Sequence, residues 1–458
     1  MAKGTFAGGV HPPANKVTAD KPIEALPLPP RLVVPMAQNL GAPSKPVVQK
    51  GDAVKRGTVI GEPDGFVSSF IHAPTSGTVT GIERVIDSAT GRQVDAVAIE
   101  PDGLDAWADG TNEPRDWQRM TADEIRRAVA DAGIVGMGGA TFPTHVKLTP
   151  PRGKTIDTIL INGAECEPYL TADHRLMLER PEAILVGMRV CMAATAAGAG
   201  VLAIEDNKPD AVQAMRAAAS TFDSTTVQVL PTKYPQGAEK QLILACLGRE
   251  VPTGGLPADV GVVVQNVATA AAVADALAMR RPLTERVLTV SGDAAAQPGN
   301  FLVRIGTPIE ALLEKAEVAE EFEKLILGGP MMGKAQFTRD LYVTKGTGGL
   351  LAFRKAAMYE HNPCIRCGAC VWHCPSYLVP SRLSTLGESF LDGNHDAVDE
   401  AMEIGLMDCI LCGACAYVCP SRRRIVHLVE MLRAERRKAL ARERAREREV
   451  AAAIKLRA

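Results

Sequence analysis

Aromatic residues are scarce, at 4% of 458 positions, and net charge is nearly absent, with 51 Lys and Arg against 53 Asp and Glu. A chain without a global basic field is not a general nucleic-acid binder, so no nucleic acid is expected among its partners. No stretch of about 20 residues is both apolar and free of charge or glycine clusters, which argues against a membrane span and for peripheral attachment at most. The nearest approach, Ala183 to Ile204, is broken by Arg189 and by Gly198-Ala-Gly200 and reads as a buried helix followed by a strand. The first ten residues lack the apolar core of a secretory leader. The eleven cysteines are therefore expected as thiols or metal ligands in a reducing compartment, not as disulfides.

What is present is organised in blocks, and the length requires several domains. Residues 1–30 are Pro-rich without a period of 2 or 3.6 and read as an arm that wraps a domain or a partner. Residues 31–101 hold short β-rich runs punctuated by glycine, a small all-β unit. After a polar linker, Thr121-Ala-Asp-Glu124 reads as a capping box opening a helix to about Ala132. Across 117–281, strands such as Thr158–Ile161 alternate with Ala-rich helical stretches, an α/β pattern. Residues 286–336 return to short strands with one helix near Pro308 to Lys315, either a separate unit or an extension of the α/β sheet. A helical cysteine domain covers 354–427. Residues 428–458, rich in Arg, Glu and Ala, read as a charged helix. From Arg422 onward the balance is +8 against −10 for the rest, so the tail either faces an acidic surface or anionic lipid or is simply solvated.

The strongest signal is a repeated spacing. Cys364-x2-Cys367-x2-Cys370-x3-Cys374-Pro375 is followed by Cys409-x2-Cys412-x2-Cys415-x3-Cys419-Pro420. This is the spacing of two-cluster ferredoxins, in which the fourth cysteine ligates the other cluster. Cys364, Cys367, Cys370 and Cys419 are thus expected on one [4Fe–4S] cluster, and Cys409, Cys412, Cys415 and Cys374 on the second. Structural zinc is the alternative, but it has no need of eight thiolates with Cys-Pro closures. With every iron ligated by protein, the clusters conduct single electrons and bind no substrate. His361 and His373 flank the loops and either tune them or face solvent.

A second signal is the glycine-rich loop from Gly133 through Gly136, Gly138 and Gly139 to Phe142 and Lys147. Glycine density lets backbone N–H groups close on a phosphate and the lysine adds a point charge. A helix precedes it, so it is not the dinucleotide fingerprint. The alternative is a structural glycine turn.

This loop, with Ile161-Asn-Gly-Ala-Glu-Cys-Glu-Pro168 and Tyr234-Pro-Gln-Gly-Ala-Glu239, resembles the flavin- and NADH-binding subunit of respiratory complex I and its hydrogenase relatives. Val48–Val54 and Ile71–Val79 resemble the halves of a biotinyl/lipoyl-like barrel-sandwich hybrid, but the tip Glu62–Phe70 has no lysine, so the fold is kept and a swinging arm rejected. Residues 286–336 are similar to an SLBB module. The order of these parts resembles the C subunit family of the Rnf ion-translocating electron transport complex.

The resemblance implies a multidomain α/β protein: a barrel-sandwich hybrid, a Rossmann-like flavoprotein domain, an SLBB-like domain and a two-cluster ferredoxin-like domain. It implies an NAD(H)-linked iron–sulfur flavoprotein oxidoreductase subunit of an ion translocase, passing electrons between NAD(H), FMN and two [4Fe–4S] clusters. Gly136, Gly138, Gly139 and Lys147 would surround FMN, Asn162 and Asn266 would contact it, and Thr269 would lie at its phosphate. Phe142 would flank the nicotinamide, and Glu165, Glu167 and Glu239 would line the NAD(H) pocket. No catalytic acid or base is assigned, because hydride transfer to flavin needs no protein proton donor. Ala164, Gln265 and Leu148-Thr-Pro150 depart from the complex I pattern and leave the nicotinamide stacking open. Partners would be other subunits, including a ferredoxin-type iron–sulfur subunit, at the cytoplasmic face of the bacterial inner membrane. The alternatives are a flavin/iron–sulfur cobalamin reductase of the microcompartment type, whose relatives do not begin with the hybrid domain, and a pure electron-wire scaffold.

Overall fold

Apolar alternation bends residues 32–101 into two small antiparallel sheets in the computed structural model, which describes residues 4–357 and 359–457. Residues 1–3 of the arm, Met358 and Ala458 lie outside the described residues. One sheet has the order Leu32–Pro35, Gln93–Pro101, Gly77–Ile86, Ala53–Val54; the other has Lys45–Pro46, Val59–Glu62, Ile71–His72. Val34, Ile60, Ile71, Val97 and Ile99 fill the space between them. The lysine-free tip runs from Glu62 to Ile71, and its exposed Phe66 sits edge-on to His145 at 6.0 Å between ring centroids.

The α/β unit opens with the helix Ala122–Asp131, whose capping box is made by Thr121 and Glu124. Its four strands are all parallel, in the order Thr225–Leu230, Ala199–Glu205, Thr158–Gly163, Val262–Asn266. The three strands from Ala199, Thr158 and Val262 are buried nearly throughout, as a parallel sheet covered on both faces requires. The chain steps outward from Thr158–Gly163 to the two strands on one side, then returns to place Val262–Asn266 on the other. The switch point therefore falls between the strands that end in Asn162 and Asn266, where parallel sheets bind ligands beyond their carboxyl ends.

The Ala/Gly-rich stretch is a helix and a strand of this unit. Helix Pro181–Thr195 ends at Ala196 in a left-handed cap, and strand Ala199–Glu205 follows. The helix packs on Val267–Ala278 so closely that a Cβ on Gly187 would lie 1.8 Å from the Ala270 carbonyl oxygen. No helix among the described residues is long and apolar enough to cross a membrane.

Residues 285–353 build a sheet of their own, so they do not extend the parallel one. Its order is Ile23–Ala25, Gly299–Arg304, Glu285–Ser291, Gly349–Phe353, Lys324–Leu327, Lys334–Gln336. The edge strand comes from the arm, which the Pro-rich composition gave no reason to expect, and the sheet reaches past Gln336 to Phe353. Buried Arg56 joins the hybrid domain to this sheet through Glu285 at 2.8 Å and Thr284 at 3.2 Å.

The cysteine region is helical, from Ala369–Trp372 and Pro380–Leu391 through Ala397–Glu403 and Ala414–Tyr417. Its backbone repeats: φ is positive at Arg366, Gly368 and Tyr377, and again 45 residues on at Leu411, Gly413 and Arg422. A final helix, Ile425–Arg457, begins by burying Ile425, Leu428, Val429 and Leu432 against this region. At 33 residues it is about 50 Å long.

Gly187→Ala is expected to destabilise the α/β unit by about 1–3 kcal/mol, because the added methyl meets backbone that cannot rotate away. Thermal melts of the full chain should show a lowered Tm with the iron–sulfur absorbance initially intact; an unchanged Tm would contradict the close approach.

Candidate functional site

The glycine loop folds over the switch point. Gly136 N–H donates to the Phe142 carbonyl at 2.9 Å and Thr141 N–H donates back to Gly136 at 3.1 Å, closing a tight loop with half-buried Phe142 at its exit. Met137 N–H donates to the Thr269 hydroxyl at 2.9 Å, which pins the loop to the first turn of helix Val267–Ala278. Gly138 lies against Asn266, where a Cβ would come within 3.2 Å, whereas Gly139, at φ +121, faces open space. Asn266 caps the helix by accepting from Ala268 N–H and donates to Asp173 at 2.6 Å. Asn162 donates to the Gly237 carbonyl at 2.9 Å. Lys147 reaches back to Glu239 at 2.6 Å and to the Val264 carbonyl at 3.1 Å. The structure thus gathers Gly136, Gly138, Gly139, Lys147, Asn162, Glu239, Asn266 and Thr269 about the ends of two adjacent strands.

Glu165 and Glu167 are held differently from free pocket carboxylates. Glu165, at φ +46, accepts from Asp173 and His174 N–H at 2.7 and 3.2 Å, at the start of helix Ala172–Glu179. Glu167 accepts from Met331 and Met332 N–H at 3.0 and 2.8 Å, joining the loop to the mixed sheet's turn. Burial pushes the Glu167 carboxyl up to about 7 in spite of those two donors. Burial, reinforced by nearby Glu165, also raises Asp173. Asp173, Lys16 and Gln236 are members of this site that the sequence reading did not single out. Lys16 donates to the carbonyls of Glu165, Glu167 and Leu170.

The donor set suits a flavin monophosphate. The side-chain amides of Gln236 and Gln265 and the Thr144 hydroxyl are buried with unmatched polar atoms in the loops and strand end around the switch point. A polar ligand would satisfy such groups. The open face at Gly139, the helix start at Val267 and the Lys147 ammonium supply what a terminal phosphate needs.

The cysteines sort by position. Cys374, Cys409, Cys412 and Cys415 line one pocket with Leu378 and Ile425. The structure so brings the fourth cysteine of the first motif to the three of the second. Among the described residues no three His, Cys, Asp or Glu side chains converge as a single ion requires. Four thiols spread around a pocket suit a larger group that takes one thiolate per iron. Cys364 lies beside Cys370, Cys367 is exposed, and Cys419 packs in the apolar cluster that holds Cys370, Cys374, Cys409 and Cys415. His361 pairs with Glu388 at 2.6 Å, and His373 bonds to the Ala369 carbonyl at 2.8 Å.

This pocket, that of the second motif, adjoins the α/β unit. Buried Tyr234 donates to the Cys412 carbonyl at 2.7 Å, and Gln241 donates to the Pro375 carbonyl at 3.1 Å. The first loop faces outward, with Ile365 and Trp372 65% and 80% exposed.

Fold and site together define an iron–sulfur flavoprotein of modular build. The Nuo51 FMN-binding domain matches residues 129–275, the RnfC barrel sandwich hybrid domain residues 4–104, and a 4Fe-4S dicluster domain residues 360–423. The chain is 49% identical over 449 residues to the C subunit of the proton-translocating ferredoxin:NAD(+) oxidoreductase complex of Clostridium ljungdahlii, covering 96% of each. It is 46% identical over 385 residues to the C subunit of the Na(+)-translocating complex of Acetobacterium woodii, covering 83% of this chain and 87% of that one. It is 44% identical over 390 residues to the C subunit of the ion-translocating oxidoreductase complex of Rhodobacter capsulatus, covering 83% and 74%. The chain belongs to the C subunit family of these ion-translocating oxidoreductase complexes. The hybrid-domain match and the near full-length identity set aside the cobalamin-reductase alternative.

Three outcomes are expected. Anaerobic reconstitution should give about eight iron and eight sulfide per chain, and Cys374→Ser should perturb the EPR signal of the cluster on Cys409, Cys412 and Cys415 more than the other. The reverse pattern, or zinc in place of iron, overturns the assignment. Glu167 has a raised folded-state value, so its stabilising contribution is complete below its unfolded value near 4.5 and fades as pH rises through about 7. The Tm advantage of wild type over Glu167→Gln should therefore be larger at pH 6 than at pH 8.

Proposed function

We propose that the chain carries electrons between NAD(H) and partner subunits, using FMN at the switch point and two [4Fe–4S] clusters in the order Cys374/Cys409/Cys412/Cys415, then Cys364/Cys367/Cys370/Cys419. The observation that carries this reading is the layout: the second pocket is bonded to the α/β unit at Cys412 and Pro375, while the first loop is exposed. Bound FMN supplies the conversion between a two-electron hydride and single electrons that neither NAD(H) nor a cubane provides alone.

The chain's own residues hold and shield these groups. Gly136, Gly138 and Gly139 admit the phosphate end of FMN to backbone amides, and Thr269 and Lys147 flank it. Asn162 and Asn266 present amides at the ring. Phe142 and Glu239 border the nicotinamide side, with Glu165 and Glu167 shaping the loop through the backbone bonds they accept. The eight cysteines supply one thiolate to each iron.

The partners of this reading are the other subunits of an Rnf complex, among them a ferredoxin-type iron–sulfur subunit that meets the exposed first loop. Attachment is peripheral, at the cytoplasmic face of the bacterial inner membrane, and ion movement belongs to the partners. The relatives named above are subunits of proton- and Na(+)-translocating ferredoxin:NAD(+) oxidoreductase complexes, which supports this assignment.

Anaerobic stopped-flow mixing of the FMN- and cluster-loaded chain with NADH should bleach the flavin absorbance and then that of the clusters. No bleaching would leave the electron-wire reading in its place. Lys147→Ala should weaken FMN retention by about tenfold to a hundredfold, the loss of a charge-assisted contact of roughly 1.5–3 kcal/mol. Isothermal titration of the apo-flavin chain with FMN measures it.

A further inference from the structure

The N-terminal arm touches both redox sites, in sequence order, although electron transfer as described above gives it no task. Phe6 is buried, and its carbonyl accepts from Lys233 at 2.7 Å while its ring lies 4.5 Å from the same ammonium. Gly9 N–H donates to the His373 carbonyl at 3.0 Å, one residue before Cys374. Val10 and Tyr234 exchange both backbone hydrogen bonds, at 2.8 and 2.9 Å. Further along, the Ala14 carbonyl accepts from Tyr169 N–H at 2.9 Å, and half-buried Lys16 places its ammonium on three carbonyls of the Glu165–Leu170 loop.

We infer that the arm from Phe6 to Lys16, together with Tyr234, is a positioning clamp that fixes the second cluster's distance from the flavin site and its electrostatic surroundings; this rests on the reading of the two sites proposed above. Electron transfer between fixed centres falls steeply with their separation, so an element that sets the separation sets the rate. The arm binds Cys374's neighbour at one end and the flavin-side loop at the other, and Tyr234 binds the carbonyl of a ligand of the same cluster.

The contacts are too specific for a covering strap. Gly8 and Gly9 have φ of +68 and +80, and a Cβ would lie 2.7 Å from the Cys374 carbonyl oxygen at the first and 2.6 Å from that of Tyr234 at the second. No side chain fits at Gly8 without moving Cys374, nor at Gly9 without moving Tyr234. The half-buried Lys16 ammonium is withdrawn from water only where acceptors replace it, and three carbonyls do. The Tyr234 phenol donates its O–H to the Cys412 carbonyl at 2.7 Å. Its O–H dipole points its positive end toward the cluster loop, which favours the cluster's more negative, reduced state.

The test uses the full chain with both clusters and FMN, comparing wild type with Tyr234→Phe and Gly8→Ala. EPR-monitored redox titration should show the second cluster's midpoint moved to more negative potential in Tyr234→Phe, with the first cluster's midpoint and the FMN and iron contents unchanged. Stopped flow should show flavin bleaching by NADH at the wild-type rate but slower arrival of electrons at the clusters in Gly8→Ala. Unchanged midpoints in Tyr234→Phe together with unchanged cluster reduction in Gly8→Ala reduce the arm to packing and overturn the clamp. If Gly8→Ala does not fold, the Tyr234→Phe titration decides alone. A wild type whose flavin NADH does not bleach defeats the underlying reading instead, and the midpoint comparison, run with a chemical reductant, still judges the clamp.

Discussion

The reach of Cys374 into the pocket of the following motif is the constraint on which the rest of the structure depends. It sits with Cys409, Cys412 and Cys415, so the two cysteine loops cannot fold or move as independent units. Each loop needs the same backbone, which the positive φ values at Arg366 and Gly368, and at Leu411 and Gly413, provide. The pocket then needs an apolar wall, and Leu378 with the first turns of the final helix supplies it. The neighbouring α/β unit bonds to Pro375 and Cys412, one position flanking a thiol and one bearing it. The docking segment, from Tyr234 to Gln241, accepts from Asn162 at its Gly237 carbonyl, so it also touches the end of the parallel sheet.

What could be read from the sequence is what is local. Cysteine spacing reports a loop shape within ten residues, a capping box reports a helix start within four, and glycine density reports backbone that must approach something closely. The paired cysteine loops with their repeated positive φ values and the capping pair Thr121 and Glu124 were legible for that reason. Lys16, Asp173 and Tyr234's hydroxyl bond were not, because each acts on a partner between 93 and 178 positions away with no periodic pattern to announce it. Glu165 and Glu167 illustrate the boundary. Their presence in the loop was evident, but that backbone amides from residues 173, 174, 331 and 332 hold their oxygens follows only from the packing of three separate segments.

The hybrid domain shows a carrier architecture made immobile. Where related folds place a modified lysine on a free hairpin tip, this tip is bound to its neighbours. Buried Lys345 donates to the carbonyls of Phe70 and Gly133 at 2.6 and 2.8 Å, and Leu40 N–H donates to Thr141 at 3.1 Å. The hairpin thus joins the wall beside the glycine loop. A tip without a lysine, held at Phe70, serves here as part of a wall and not as a carrier.

The arm also bears on how the chain is made. Its residues pair with Tyr234, Leu302 and His373, all more than 200 positions further along the chain, so the arm cannot meet its full set of partners until those segments have been made. Until residue 373 has left the ribosome the arm has no complete site to occupy, and its low apolar periodicity and high proline content suit a segment that must wait without aggregating. Seating the whole arm therefore requires the parallel unit at Tyr234, the mixed sheet at Leu302 and the first cysteine loop at His373 to be in place together.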